Sequence, residues 1–192
     1  GGTAPSSVAN ANSGVVNVVS TRSAFAALKS DGSIVVWGYA VYGGSTTDGA
    51  GYTGAPSSVT NANSGVVNIF STNEAFAALK SDGSITAWGS SSYGGTGAPT
   101  DTGYVNIVSA NNGFAALKED GSISVWGNEY YGAGAPTSGT YVNIFSSDYA
   151  FVAVKDDTSS AYSTSLQDTD SFFNDVWELD LTQASPTWSP LN

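Results

Sequence analysis

Three tyrosines recur in one setting. Tyr42, Tyr93 and Tyr131 each precede a pair of small residues in a loop that follows a Trp-Gly pair. Loops on a rigid sheet scaffold often carry binding, and tyrosine offers stiff contact area at low entropic cost. These three are the candidate ligand-binding residues; the competing role is packing within the loop. Trp37, Trp88 and Trp126 share a second repeated position. An aromatic platform for sugars or peptides is one use of such a set. A repeated core position is the other, since a fully buried large apolar side chain is worth about 1.5–3 kcal/mol. The repetition favours the core. The four lysines, Lys29, Lys80, Lys118 and Lys155, also share one position, each beside Asp or Glu. A solvated hairpin end accounts for them better than a basic binding stripe.

Catalytic chemistry has little to work with. The 192 residues include no Cys and no His. That excludes thiolate nucleophiles, disulfides, Cys-ligated zinc and the commonest general base. No serine-nucleophile or phosphate-binding glycine motif is present. Asp168-Thr169-Asp170 begins like a Ca²⁺ loop, but no glycine turn or bidentate Glu follows at the required spacing. The chain is therefore expected to be non-enzymatic, with no cofactor and no metal. The net charge of −11 excludes a phosphate-binding surface, so nucleic acid is not an expected partner. No apolar stretch approaches the ~20 residues of a membrane span. Only 11% of residues are charged. A surface built from Ser, Thr, Asn, Gly and Tyr suits extended self-association and an extracellular or cell-surface location.

The elements that position these residues are repeats. Phe25 lies in VVNVVSTRSAFAALKSDGSIVVWG, Phe76 in VVNIFSTNEAFAALKSDGSITAWG and Phe114 in YVNIVSANNGFAALKEDGSISVWG. Phe151 lies in a shortened YVNIFSSDYAFVAVKDD. The spacings are 51, 38 and 37 residues, the first lengthened by a Gly/Thr-rich insertion near Ser45–Tyr52 and a longer linker. Ala-Pro opens each unit at Pro5, Pro56, Pro99 and Pro136. Each unit reads as three short strands, in the first unit Val15–Ser20, Ala24–Lys29 and Ser33–Trp37. Asp31-Gly32, Asp82-Gly83 and Asp120-Gly121 predict two-residue type I′ turns between the second and third strands. Apolar residues on both strand faces call for sheets covered on both sides. Radial blades or a stacked β-solenoid meet that need.

The run P…GVVN(I/V)xS…FAALKxDGSIxxWGxxxYGG resembles the repeats of the regulator of chromosome condensation family. It is most similar to the compact three-stranded blades of beta-lactamase inhibitory protein II. The resemblance covers residues 1–155 and implies a β-propeller-like array of antiparallel blades. It also implies closure with about seven blades, whereas this chain carries three and a partial fourth. Residues 156–192 form an acidic tail. Within it, Phe173-Asn174-Asp175-Val176-Trp177-Glu178-Leu179-Asp180-Leu181 followed by Thr187-Trp188 resembles half of a kelch repeat. This tail is expected to supply terminal strands, with Val176, Trp177 and Leu179 at an assembly interface.

An unclosed array leaves its first and last blades with open apolar faces and open strand edges. Gly1–Pro5 begins mid-unit, so either the chain is a piece of something longer or copies complete one another. A repeated head-to-tail contact forms a ring or an open filament. The leading expectation is a structural subunit that assembles with copies of itself into filaments or fibres. The alternative is a lectin-like or protein-binding module that takes glycans or a protein ligand at the tyrosine loops.

Overall fold

The computed structural model describes residues 2–128 and 140–155 and the strand segments Trp177–Leu179 and Trp188–Pro190. The chain is all-β and propeller-like, built from four small sheets along the repeats. The first holds β1 (Val15–Ser20), β2 (Ala24–Lys29) and β3 (Ile34–Gly38). The second holds β4 (Tyr52–Thr53), β5 (Val66–Ser71), β6 (Ala75–Lys80) and β7 (Ile85–Ser90). The third holds β8 (Tyr104–Ser109), β9 (Gly113–Lys118) and β10 (Ile123–Gly127). In the fourth, β11 (Tyr141–Ser146) pairs antiparallel with β12 (Phe151–Lys155). There β13 (Trp177–Leu179) runs parallel to β12, and β14 (Trp188–Pro190) pairs antiparallel with β13. The insertion after the first repeat supplies β4, which covers the outer edge of β7 through Tyr52↔Ser90 and Thr53↔Gly89.

Sheets meet along their first strands. β5 touches β1 and β2, β8 touches β5 and β6, and β11 touches β8 and β9. This is the fanned arrangement of propeller blades. Every first strand carries a bulge at its second residue: Val16, Val67, Val105 and Val142 are the extra residues in the ladders. All four are exposed. The bulge lets the remaining residues of each first strand return to core register on the other side of it.

The core lies between blades, because each sheet is too small to bury a face alone. Ala24, Ala26, Leu28 and Ile34 of the first blade meet Ile69, Phe76, Ala78 and Trp88 of the second. Ala75, Ala77, Leu79 and Ile85 meet Ile107, Phe114, Ala116 and Trp126 in the same way. Ala115 and Leu117 meet Ile144, Phe151 and Ala153. Each blade thus has an aliphatic face toward its successor and an Ile/Phe/Trp-type face toward its predecessor. Strict alternation along FAALK produces this division, since neighbouring side chains on a strand point to opposite faces.

The hairpin turns differ from the type I′ expectation. Gly32, Gly83 and Gly121 have positive φ, but Asp31, Asp82 and Asp120 do not. Gly32 donates to the Lys29 carbonyl at 2.9 Å and Lys29 to the Ser33 carbonyl at 2.9 Å. The connection is therefore a three-residue loop with only its glycine left-handed. The Asp side chain has a different task. Asp31 accepts from the Ser33 amide at 2.9 Å and from the Ser33 hydroxyl at 2.6 Å. The same pair of bonds joins Asp82 to Ser84 and Asp120 to Ser122. An aspartate that can fold back onto the residue two ahead stabilises a turn without adopting positive φ itself.

These bonds hold all three carboxyls below the ordinary value of 3.8, with the serine hydroxyl as the leading cause. Asp101 is lowered too, chiefly by its bond from Lys118 and then by that from Tyr104. A carboxyl whose folded pKa is depressed stabilises the fold above its unfolded value, and the contribution is lost as pH falls through the folded value. Urea midpoints are accordingly expected to stay level from neutral pH to about pH 5 and to fall below about pH 4. Replacing Asp31, Asp82 and Asp120 together by Asn should flatten that fall. Tryptophan fluorescence during urea titration at each pH would check it.

Candidate functional site

The tyrosine loops are built into the blade packing. Tyr42 and Tyr93 end short 3-10 turns, Ala40–Tyr42 and Ser91–Tyr93. Both side chains are half-buried, Tyr42 against the core between the first two blades and Tyr93 against the next. The backbone carbonyls of Tyr42 and Tyr93 accept the hydroxyls of Thr21 at 3.1 Å and Thr72 at 2.9 Å. The following glycines reach across to the next blade. Gly43 accepts the indole N–H of Trp88 at 3.2 Å, and Gly94 that of Trp126 at 3.1 Å. Those indoles stack on Phe76 and Phe114, with centroids 5.4 and 5.1 Å apart. Both tryptophans are buried, so the repeated Trp is core and its N–H is satisfied by the preceding blade. Tyr131, Val176, Asp168 and Asp170 lie outside the described residues. Trp177 and Leu179 fall within β13.

The lysine column holds one ion pair among the described residues. Lys118 pairs with Asp101 of the preceding linker, not with its own turn, and lies over the Tyr104 ring at 5.1 Å. The Asp101 bond pushes Lys118 up, while burial is the main cause that raises Tyr104. Asp101 also accepts the Tyr104 hydroxyl at 2.8 Å, so the three groups clamp a linker to the start of β8.

At the far end of the first strands, the turns into the second strands stand side by side. A row of main-chain bonds joins them. The Arg22 amide donates to the Asn73 carbonyl at 2.8 Å, Asn73 to Asn111 at 2.9 Å, and Asn111 to Asp148 at 2.9 Å. With neighbouring Ser and Thr residues these turns line a cleft of about 480 Å³. Its walls are hydroxyl, amide and main-chain groups, with Arg22 and Asp148 as its charged residues. No group of three or more His, Cys, Asp or Glu side chains gathers to hold a metal among the described residues. No helix among them is long and apolar enough to cross a membrane.

The other candidate surfaces are the two terminal faces. Ile69, Ile107 and Ile144 are buried at 3%, 1% and 2% exposure against the preceding blade. Val18, their counterpart in β1, is 49% exposed. Beside it Phe25 and Trp37 stack with centroids 5.2 Å apart and remain half-buried. No partner for the Trp37 indole N–H occurs among the described residues, whereas Trp88 and Trp126 each find a glycine carbonyl. On the opposite side, Phe70 and Val108 pack against the following blade. Their counterpart Phe145 is 52% exposed. Neither Val18 nor Phe145 stands out from sequence alone. Only lining up the four units shows each as the exposed member of its column, with no blade packed on it among the described residues.

No family model matches the chain, and no curated protein matches it. Solved structures do. The ectodomain of the receptor kinase CR4 from Physcomitrella patens matches 70% of this chain at 17% identity and TM-score 0.46. The CRINKLY WD40 ectodomain of the receptor kinase ACR4 from Arabidopsis thaliana matches 68% at 16% identity and TM-score 0.46. Human WBSCR16 matches 59% at 21% identity and TM-score 0.42. The chain spans 34%, 41% and 33% of the lengths of those three proteins.

Proposed function

We propose that this chain is a non-enzymatic structural subunit that assembles head to tail with copies of itself. The observation that carries the reading is the pair of terminal faces. One presents Val18, Phe25 and Trp37, and the other presents Phe145. They are the two halves of a contact that the chain already makes three times between its own blades. Burying a large apolar side chain is worth about 1.5–3 kcal/mol, which gives both faces a drive toward a partner of the same kind. A contact between unlike faces is heterologous, so it closes into a ring or continues as a filament according to its rotation. Two four-blade chains would make an eight-blade ring, within the usual propeller range of about 4–8 blades.

The sparsely charged, Ser/Thr/Asn/Gly-rich surface supports an extracellular fibre or coat. The similarity to chromosome-condensation-regulator repeats brings no nucleic-acid role, because the net charge is −11. Multi-angle light scattering over a wide concentration range, with electron microscopy of the concentrated fraction, tests the reading. Dimeric rings or filaments are expected. A monomer at every concentration would contradict it.

A binding module is the second reading, and the polar cleft favours it. Ser20, Ser71, Asn73 and Asn111 offer repeated hydrogen-bonding groups to a small polar ligand such as a glycan. Glycan capture that is lost in Arg22→Ala while assembly is unchanged would support this reading over the first.

A further inference from the structure

Resting on the assembly reading, we infer that the head-to-tail contact is held in register by Asp148 of one copy against Arg22 of the next. The row of turns supplies the geometry. Arg22, Asn73, Asn111 and Asp148 occupy one position in four successive blades, and the amide of each donates to the carbonyl of the next. The row is directional. Among the described residues, it leaves the Asp148 amide without an acceptor at one end and the Arg22 carbonyl without a donor at the other. One further bond of the same kind joins those two groups when a second copy continues the array.

Charge points to the same partner. The two interior members of the position are neutral asparagines, whereas the terminal members are an arginine and an aspartate. Arg22 is the only arginine in the chain. Both side chains are exposed. Continuing the row sets the Asp148 carboxylate beside the Arg22 guanidinium, where a charge-assisted bond can form. Two like ends cannot do this, because Arg22 would meet Arg22 or Asp148 would meet Asp148. Opposite charges thus select the heterologous contact over the isologous one, as interface charges commonly set register and reject wrong pairings. Apolar contact through Val18 and Phe145 supplies attraction, and the ends of the turn row fix direction. Among the other charged groups near the row, Glu74 follows Asn73 in the turn that adjoins Arg22, yet among the described residues the two form no ion pair, which leaves the guanidinium available to a second copy.

Charge exchange in the 192-residue chain tests the inference. Arg22→Asp alone and Asp148→Arg alone each place like charges across the contact. Each should raise the concentration for half-assembly by about tenfold or more. The double variant restores opposite charges in reversed order and should return to within about threefold of the unaltered chain. Raising salt to about 1 M should shrink the difference between single variants and the unaltered chain, because screening then acts over about 3 Å. Circular dichroism of each variant confirms that the blades are intact. Assembly by the unaltered chain that is indifferent to all three variants would overturn this register and leave the assembly reading standing. No assembly by the unaltered chain at any concentration would overturn both.

Discussion

Trp88→Ala is expected to destabilise the fold by about 3–5 kcal/mol, the usual cost of removing a large aromatic ring from a core. The indole is fully buried. It stacks on Phe76, and its N–H is satisfied by the Gly43 carbonyl of the preceding blade. Truncation therefore opens a cavity between two blades and leaves a buried carbonyl without its donor. Trp37→Ala makes the informative comparison. Trp37 occupies the same repeat position but is half-buried, and no blade packs on its outer face among the described residues. At concentrations below assembly its loss should cost no more than about half as much, in proportion to the area removed from water. Urea midpoints at unchanged slope would measure both. Equal losses would mean that Trp37 is buried by something other than a neighbouring blade.

Gly94→Ala should cost about 3 kcal/mol or more. Gly94 has φ +93°, and a methyl group there would lie 2.8 Å from Cδ2 and 2.9 Å from Cε2 of Phe114. Its carbonyl must also stay in place for Trp126. Gly103 separates the two effects. It has φ +92° with nothing within 4 Å of an added methyl group, so Gly103→Ala carries only the left-handed backbone penalty of about 1–2 kcal/mol. The remainder for Gly94→Ala comes from overpacking, typically about 1–3 kcal/mol. Thermal unfolding of the two variants side by side would show it. Equal losses would mean that the loop does not press on Phe114.

Most of the strand framework is legible in the repeats because blade strands alternate over few residues and end at glycine turns. Val15–Ser20 and Ala24–Lys29 match their expected bounds, and the third strand starts one residue later than expected, at Ile34. The turn type was not legible, because Asp-Gly fits both a two-residue and a three-residue loop. A bond from Ser33 back to Asp31 decides between them. The tyrosines read as loop residues because small residues follow them. In space those small residues are what lets the loop press against the next blade, drawing Tyr42 and Tyr93 against the cores. The short helical turns Ser6–Ala9 and Ser57–Thr60 are not legible in the sequence either, being too brief for helical periodicity. Arg22 and Asp148 are unremarkable one at a time. Their meaning comes from the hydrogen-bonded row that makes them its two ends.

Head-to-tail assembly joins two unlike faces, so mixing two variants that each lack one face separates it from every symmetric contact. Val18→Asp spoils one face and Phe145→Asp spoils the other, both at exposed positions where a charge costs the isolated chain little. Each variant alone should be monomeric by sedimentation velocity. Mixed in equal amounts, they should form a complex of two chains and nothing larger, because one intact face of each kind remains. Failure of the mixture to associate under conditions where the unaltered chain assembles would contradict head-to-tail assembly through these faces.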